Sequence, residues 1–141
     1  MKIQSIVPFF SLVALVGCGG PSYKATLAGA SEVPPVTSPA TGSVTAVLDG
    51  TMLDVNGTYK DLSGPAISAH IHGPATATAT AGIFCTLTFT EGTPAGTGTL
   101  KGECPNFDEA TVTNLNGGMF YANVHTSAHG GGEIRGQISK Q

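Results

Sequence analysis

Apolar and polar positions alternate along most of this chain, with the period of a β-strand rather than that of a helix. Residues 42–48 (GSVTAVL) put Val44, Ala46 and Leu48 on one face and Ser43, Thr45 and Val47 on the other. Comparable runs occupy 23–27, 51–59, 67–72, 83–90, 96–102, 120–125 and 134–138, separated by Gly- and Pro-containing turns. Asp49-Gly50 between two of them is a strong hairpin signal. No helix-period pattern of useful length appears, and only 107–115 could hold a short helix, expected over 108–114. Thr76 to Thr80 (TATAT) lies between Pro74 and Gly82 and reads as a mobile loop. The pattern predicts an all-β domain of about eight short antiparallel strands, a Greek-key β-sandwich or barrel.

Composition agrees with a folded domain. The chain has 141 residues, 40% hydrophobic, 11% charged and a net charge of −3. Disorder normally combines low hydrophobicity with high net charge. The acidic balance and a single arginine, Arg135, leave no basic cluster to neutralise phosphates, so nucleic acid is not an expected partner. No Gly-x-Ser-x-Gly elbow marks a nucleophilic serine, and Gly130-Gly131-Gly132 lacks the lysine and helix of a phosphate-binding loop.

The first residues differ from the rest. Met1-Lys2 is positive, 3–16 is mostly apolar and uncharged, and Leu15-Val16-Gly17-Cys18 follows. The stretch is short for a membrane span and has the proportions of a signal peptide. Its end resembles a bacterial lipobox. That resemblance implies cleavage before Cys18 and lipidation of its thiol and new amine, with two or three acyl chains giving a stable anchor. Residues 1–17 are thus expected to be a signal peptide, 18–22 a lipidated cysteine and tether, and 23–141 the domain. The expected location is the cell envelope, at the outer membrane (periplasmic or surface-facing) in a Gram-negative cell. Gly19 follows the cysteine, and no aspartate stands there as an inner-membrane retention signal. The alternative is an ordinary leader with an unmodified cysteine.

Cys85 and Cys104 form an even pair, which in an exported domain points to a disulfide. Two buried thiols are the alternative. Zinc ligation fits poorly, because no histidine accompanies the pair at a ligand spacing.

Candidate chemistry rests on the four histidines. On a strand, positions i and i+2 share a face, so His70 and His72 project together while Ile71 points inward. His125, at the end of another strand, could complete a three-nitrogen metal site. His129, in an expected Gly-rich loop, is a candidate fourth ligand. Imidazoles without thiolate favour Cu(II), with Zn(II) as the alternative cofactor. The competing reading is a structural pair bonded to backbone or to Glu133. Tyr121 and Asn123 share the face of His125 and border the site. Glu32, just before Pro34-Pro35, reads as a structural corner.

Four segments together carry a family resemblance. They are Leu27 with Glu32-Val33-Pro34-Pro35-Val36 and Ala40-Thr41-Gly42; Ala69-His70-Ile71-His72-Gly73-Pro74-Ala75; Tyr121-Ala122-Asn123-Val124-His125-Thr126; and Gly132-Glu133-Ile134-Arg135-Gly136-Gln137-Ile138. In this order they resemble the CHRD domain, named from chordin and found in many exported bacterial proteins. The resemblance spans about 23–139, with Gly130 standing where the family often has Pro. A second resemblance is to the copper–zinc superoxide dismutases, Greek-key sandwiches. It rests on His70-Ile71-His72, Val124-His125 and Glu133-Ile134-Arg135 in the same order. No histidine lies between His72 and His125, so that family's bridging and zinc histidines have no counterparts here. The dismutase resemblance implies that Arg135 guides an anion to the site, beside Glu133. An ion pair of Arg135 with Glu32 or Glu133 is the structural alternative.

The leading expectation is an exported, lipid-anchored domain that binds a metal ion, copper in preference. A non-catalytic interaction or envelope module with structural histidines is the second, consistent with the extracellular setting of the domain in chordin. A dismutase-like redox enzyme is the third and the single enzymatic candidate. The balance leans away from catalysis, and no catalytic residue is assigned. Membrane contact is expected through Cys18, and a protein partner is left open.

Overall fold

The computed structural model describes residues 19–141. The expected signal peptide, 1–17, and Cys18 lie outside the described residues. Nine strands and one helix follow in order: β1 (Ser22–Ala28), β2 (Thr41–Asp49), β3 (Met52–Lys60), β4 (Ala66–His72), β5 (Ile83–Glu91), β6 (Gly98–Cys104), α1 (Glu109–Asn116), β7 (Tyr121–Thr126), β8 (His129–Gln137) and the two-residue β9 (Ser139–Lys140). A 3-10 turn, Gly29–Ser31, follows β1.

All pairings are antiparallel, in the order β2-β3-β6-β5-β4-β7-β8-β1, and β1 pairs again with β2. The sheet therefore closes into an eight-stranded barrel, which removes the long exposed edges of an open sheet. The order β7-β4-β5-β6 is a Greek key, three hairpin-linked strands with the next strand returned beside the first.

Alternation explains why these segments pair as they do. In β2, Val44, Ala46 and Leu48 face the interior, and Leu53, Val55 and Tyr59 of β3 join them. A one-residue slip would turn each of these sets to solvent. Ala69 and Ile71 of β4, Ala122 and Val124 of β7, and Ile134 of β8 complete the core beneath the candidate site, each fully buried. Cys85 of β5 and Cys104 of β6 are joined by a disulfide with Cα atoms 5.5 Å apart.

Some element ends differ from the sequence reading. The sixth strand begins at Gly98, because Gly96 adopts φ 82° and serves the turn before it. The helix starts one residue later than expected, since the Asp108 side chain caps it by accepting from Thr111 N. The Gly-rich run 130–132 is not a loop but part of β8, which starts at His129. The 76–80 segment is a loop, yet it is tethered: Arg135 Nη2 donates to Thr76 O at 3.1 Å and to Ala79 O at 2.9 Å. Among the described residues, no helix is long and apolar enough to cross a membrane.

Candidate metal centre

Three adjacent strands, β4, β7 and β8, build the site on the outer face of the barrel. Register sets out its rows. His72 lies beside Tyr121 and Tyr121 beside Gln137; His70 lies beside Asn123 and Asn123 beside Arg135; Ser68 lies beside His125. Cross-strand neighbours share a face, so these side chains all rise from the same side of the sheet. That face is covered rather than open. Every residue of β7 is buried. The 73–82 connection lies over one side: Ala81 O meets the His72 ring, and Arg135 holds Thr76 and Ala79. On the other side, Gly130 O meets the His125 ring.

The ligand-type nitrogens of His70, His72 and His125 all lie within 4.8 Å of one another. His70 Nδ1 is 3.0 Å from His125 Nε2. Asn123 Oδ1 stands 3.1 Å from His72 Nε2 and 3.0 Å from His125 Nε2. The far nitrogens of two rings are committed: His72 Nδ1 donates to Ala81 O and His125 Nδ1 donates to Gly130 O, each at 3.0 Å. A carbonyl can only accept, so these bonds fix the tautomers and leave both Nε2 atoms as lone-pair acceptors. His70 can donate its Nδ1 proton to His125. Asn123 Oδ1 still faces both His72 Nε2 and His125 Nε2, acceptor against acceptor. Two arrangements relieve this: the Asn123 amide turned over, so that Nδ2 donates to both rings, or a cation among the acceptors. A ring N–H tied to a carbonyl is the usual support of a metal-ligating histidine.

The electrostatics keep the His70 and His125 rings neutral. Burial lowers the His70 imidazole to about 4, and the nearby His125 and His72 add to the effect. Burial also lowers His125, partly opposed by its bond to Gly130 and reinforced by His72. Neutral imidazole is the form that binds metal. Tyr121 fixes the remaining freedom of His72: the rings stack at 4.9 Å with 6° between planes. The Tyr121 hydroxyl in turn accepts from Ala81 N at 3.2 Å.

The other candidates fall elsewhere. His129 is not part of the cluster; it opens β8 opposite Thr126 and lines a small cavity of about 290 Å³ with Glu32. Glu133 does not touch the histidines. Its fully buried carboxylate accepts from Ser38 Oγ, Ser63 N, Ser63 Oγ and Thr126 Oγ1 at 2.6–2.9 Å. Burial pushes that carboxyl up, but these donors outweigh it and hold it below its ordinary value. Arg135 is 1% exposed, donates through Nη2 to Thr76 O, Ala79 O and Gln137 Oε1, and lies 3.5 Å from the Tyr121 ring centroid. A guanidinium held in this way fastens a loop and cannot swing toward an anion over the histidines. It makes no ion pair within 4.0 Å with Glu32 or Glu133; the one such pair among the described residues is Lys60–Asp61.

Sequence reasoning placed Asn123 at the border of the site, whereas its amide sits between two of the rings. The period-two spacing of Tyr121, Asn123 and His125 carried that signal. The carbonyls of Ala81 and Gly130 had no signal in the sequence, because any residue type supplies one.

Comparison with known proteins adds the lineage. No curated protein and no solved structure matches the chain significantly. The CHRD domain family model matches residues 23–138, from the first strand to the end of the barrel and across all three histidine positions of the cluster. The chain therefore belongs to the CHRD domain family.

Proposed function

We propose that this protein is an exported, lipid-anchored CHRD-domain protein that binds a metal ion, copper in preference and zinc as the alternative, through His70, His72 and His125. The observation that carries the reading is the convergence of three imidazole nitrogens within 4.8 Å, two of them on rings whose tautomers are set by backbone carbonyls. Nitrogen donors without thiolate suit Cu(II), which also heads the affinity order of divalent first-row metals. Asn123 Oδ1 adds an oxygen to the donor set in its present orientation. Export and lipidation are supported by residues 1–18: a positive start, an uncharged apolar stretch and Gly17-Cys18.

The test is a Cu(II) titration of the purified metal-free protein, followed by electron paramagnetic resonance. One equivalent bound with nitrogen hyperfine structure is expected, with loss of that signal in the His70→Ala/His72→Ala/His125→Ala variant. Failure of the wild-type protein to bind copper or zinc more tightly than about micromolar, a free energy of about −8 kcal/mol, would refute the metal reading. The anchor is tested separately by metabolic labelling with an alkyne fatty acid. Label is expected on the wild-type chain and lost in Cys18→Ser, and an unlabelled wild-type chain refutes lipidation.

A further inference from the structure

A second cavity lies beside the candidate metal centre. It has a volume of about 540 Å³ and is walled by β1, β8, the 29–35 segment and the 77–78 loop. Small-molecule sites commonly enclose about 300–1,000 Å³, lined mainly by apolar groups with a few polar ones. Here Val33, Pro35, Ala30 and Ala77 supply apolar wall, and the charged groups are Glu32 and Arg135.

Those two charges are unusual. Glu32 is 6% exposed, and its Oε1 is fully buried without a hydrogen-bond partner. It is the one side-chain atom in that condition among the described residues. Glu32 also lines the smaller cavity along 128–132, so its carboxyl forms part of the partition between two spaces. Gly132 makes room there with φ 124°; a Cβ on it would overlap Glu32 Oε1. Arg135 is 1% exposed, and all its hydrogen bonds run through Nη2, which leaves Nη1 and Nε without a protein partner. Glu32 and Arg135 attract each other but stay more than 4.0 Å apart. Buried polar groups are nearly always paired, because leaving one unpaired costs the full loss of hydration. An acid and a base that line one largely apolar cavity without pairing with each other, the base with two nitrogens unbonded, match a ligand that carries both opposite charges close together.

We propose that this cavity binds a small zwitterion, an α-amino acid with a short apolar side chain, its carboxylate on Arg135 and its ammonium group on Glu32. The methyl and ring carbons of Ala30, Val33, Pro35 and Ala77 then receive the side chain. The site does not depend on the metal. It uses different residues, and its occupancy is to be read in metal-free protein with a chelator present, where copper chelation by the amino acid contributes nothing.

The experiment is a titration of each of the common amino acids into the isotopically labelled, metal-free protein, followed by NMR. Saturable shifts at Thr26, Ala77 and Gly136 are expected for the short apolar amino acids, with a Kd at or below about 1 mM. Glu32→Gln removes the anion and keeps the shape, and is expected to weaken binding about tenfold or more, the scale of one charged hydrogen bond. The matching alkylamine and the N-acetylated amino acid, each lacking one charge, should bind no better than that variant does. Absence of saturable shifts for every amino acid up to about 10 mM overturns the proposal and leaves a water-filled cavity. Binding unchanged in a folded Glu32→Gln variant overturns it as well.

Discussion

Glu32→Gln also tests the energetics of the buried face through stability. Burial raises the Glu32 carboxyl to about 7, against the opposing pull of Arg135 and the Val33 amide. In the unfolded chain the same group loses its proton near 4.5. Between these values the folded protein holds a proton that the unfolded chain has released, so stability falls as pH rises through this window. Below about 4.5 both states are protonated and the penalty is absent; above about 7 both are ionised and it is complete. A tenfold change in proton affinity is worth about 1.4 kcal/mol, which sets an upper figure of about 3 kcal/mol; water entering the adjoining cavity screens the charge and brings the expectation to about 2 kcal/mol. Glutamine resembles the protonated acid and cannot ionise. The variant should therefore match the wild type near pH 4.5 and exceed it at pH 8 by about 2 kcal/mol, roughly 5–10 °C in Tm for a domain of this size. Denaturant unfolding at a series of pH values reads this directly. Parallel profiles for the two proteins from pH 4.5 to 8 would show that Glu32 ionises in the fold as it does in water, and would refute the reasoning.

Other perturbations have equally definite outcomes. Replacing both Cys85 and Cys104 by Ala should cost about 3 kcal/mol, from the lost constraint on the unfolded chain; a Tm unchanged by the double substitution would contradict it. Arg135→Met removes three hydrogen bonds and the contact with Tyr121. It is expected to cost about 2–3 kcal/mol and to speed amide exchange in the 76–82 connection, whereas unchanged exchange there would mean the loop is held by something else. Gly132→Ala puts a side chain at φ 124° against Glu32 and Asn123, and should lose about 2 kcal/mol or more. Copper affinity should fall with it as Asn123 is displaced, measured by the same titration as for the wild type.

The strands were legible because each has one apolar face: Val44, Ala46 and Leu48 could not be read otherwise. The convergence of the histidines was legible in part. Period two puts His70 and His72 together, but only the β4–β7 pairing, with Ser68 opposite His125, brings in the third ring. The role of Arg135 was not legible. The dismutase resemblance invited an anion and the charge an acidic partner, whereas the partners are carbonyls of the 76–79 loop and the Gln137 amide oxygen. Glu133 misled for the same reason: its partners are hydroxyls and an amide of Ser38, Ser63 and Thr126, residue types with no distinctive pattern along the chain. Gly130 to Gly132 read as loop because glycine is a poor strand former, yet pairing with β7 carries the strand through them.

The polar residues of this barrel are distributed in a way that stability alone does not call for. Among the described residues, seven polar or charged side chains are buried, namely Glu32, His72, Asn123, His125, Thr126, Glu133 and Arg135. Six of them lie on the adjacent strands β4, β7 and β8, and Glu32 lies on the segment packed beside β8. Replacing buried polar clusters by apolar groups is often neutral or stabilising, so retaining this one requires a use for it. Hydrogen bonding separates the seven into two kinds. Glu133 and Thr126 are satisfied within the protein, whereas Arg135 belongs to both kinds, its Nη2 holding a loop and its Nη1 and Nε left unpaired. The others have capacity left over: lone pairs on His72 and His125 that meet Asn123, and a Glu32 oxygen with no partner. The satisfied groups hold the loops in place over these strands, and the unsatisfied ones mark where a cation and a small ligand would complete the bonding. The first kind should therefore respond to substitution in stability, and the second in binding.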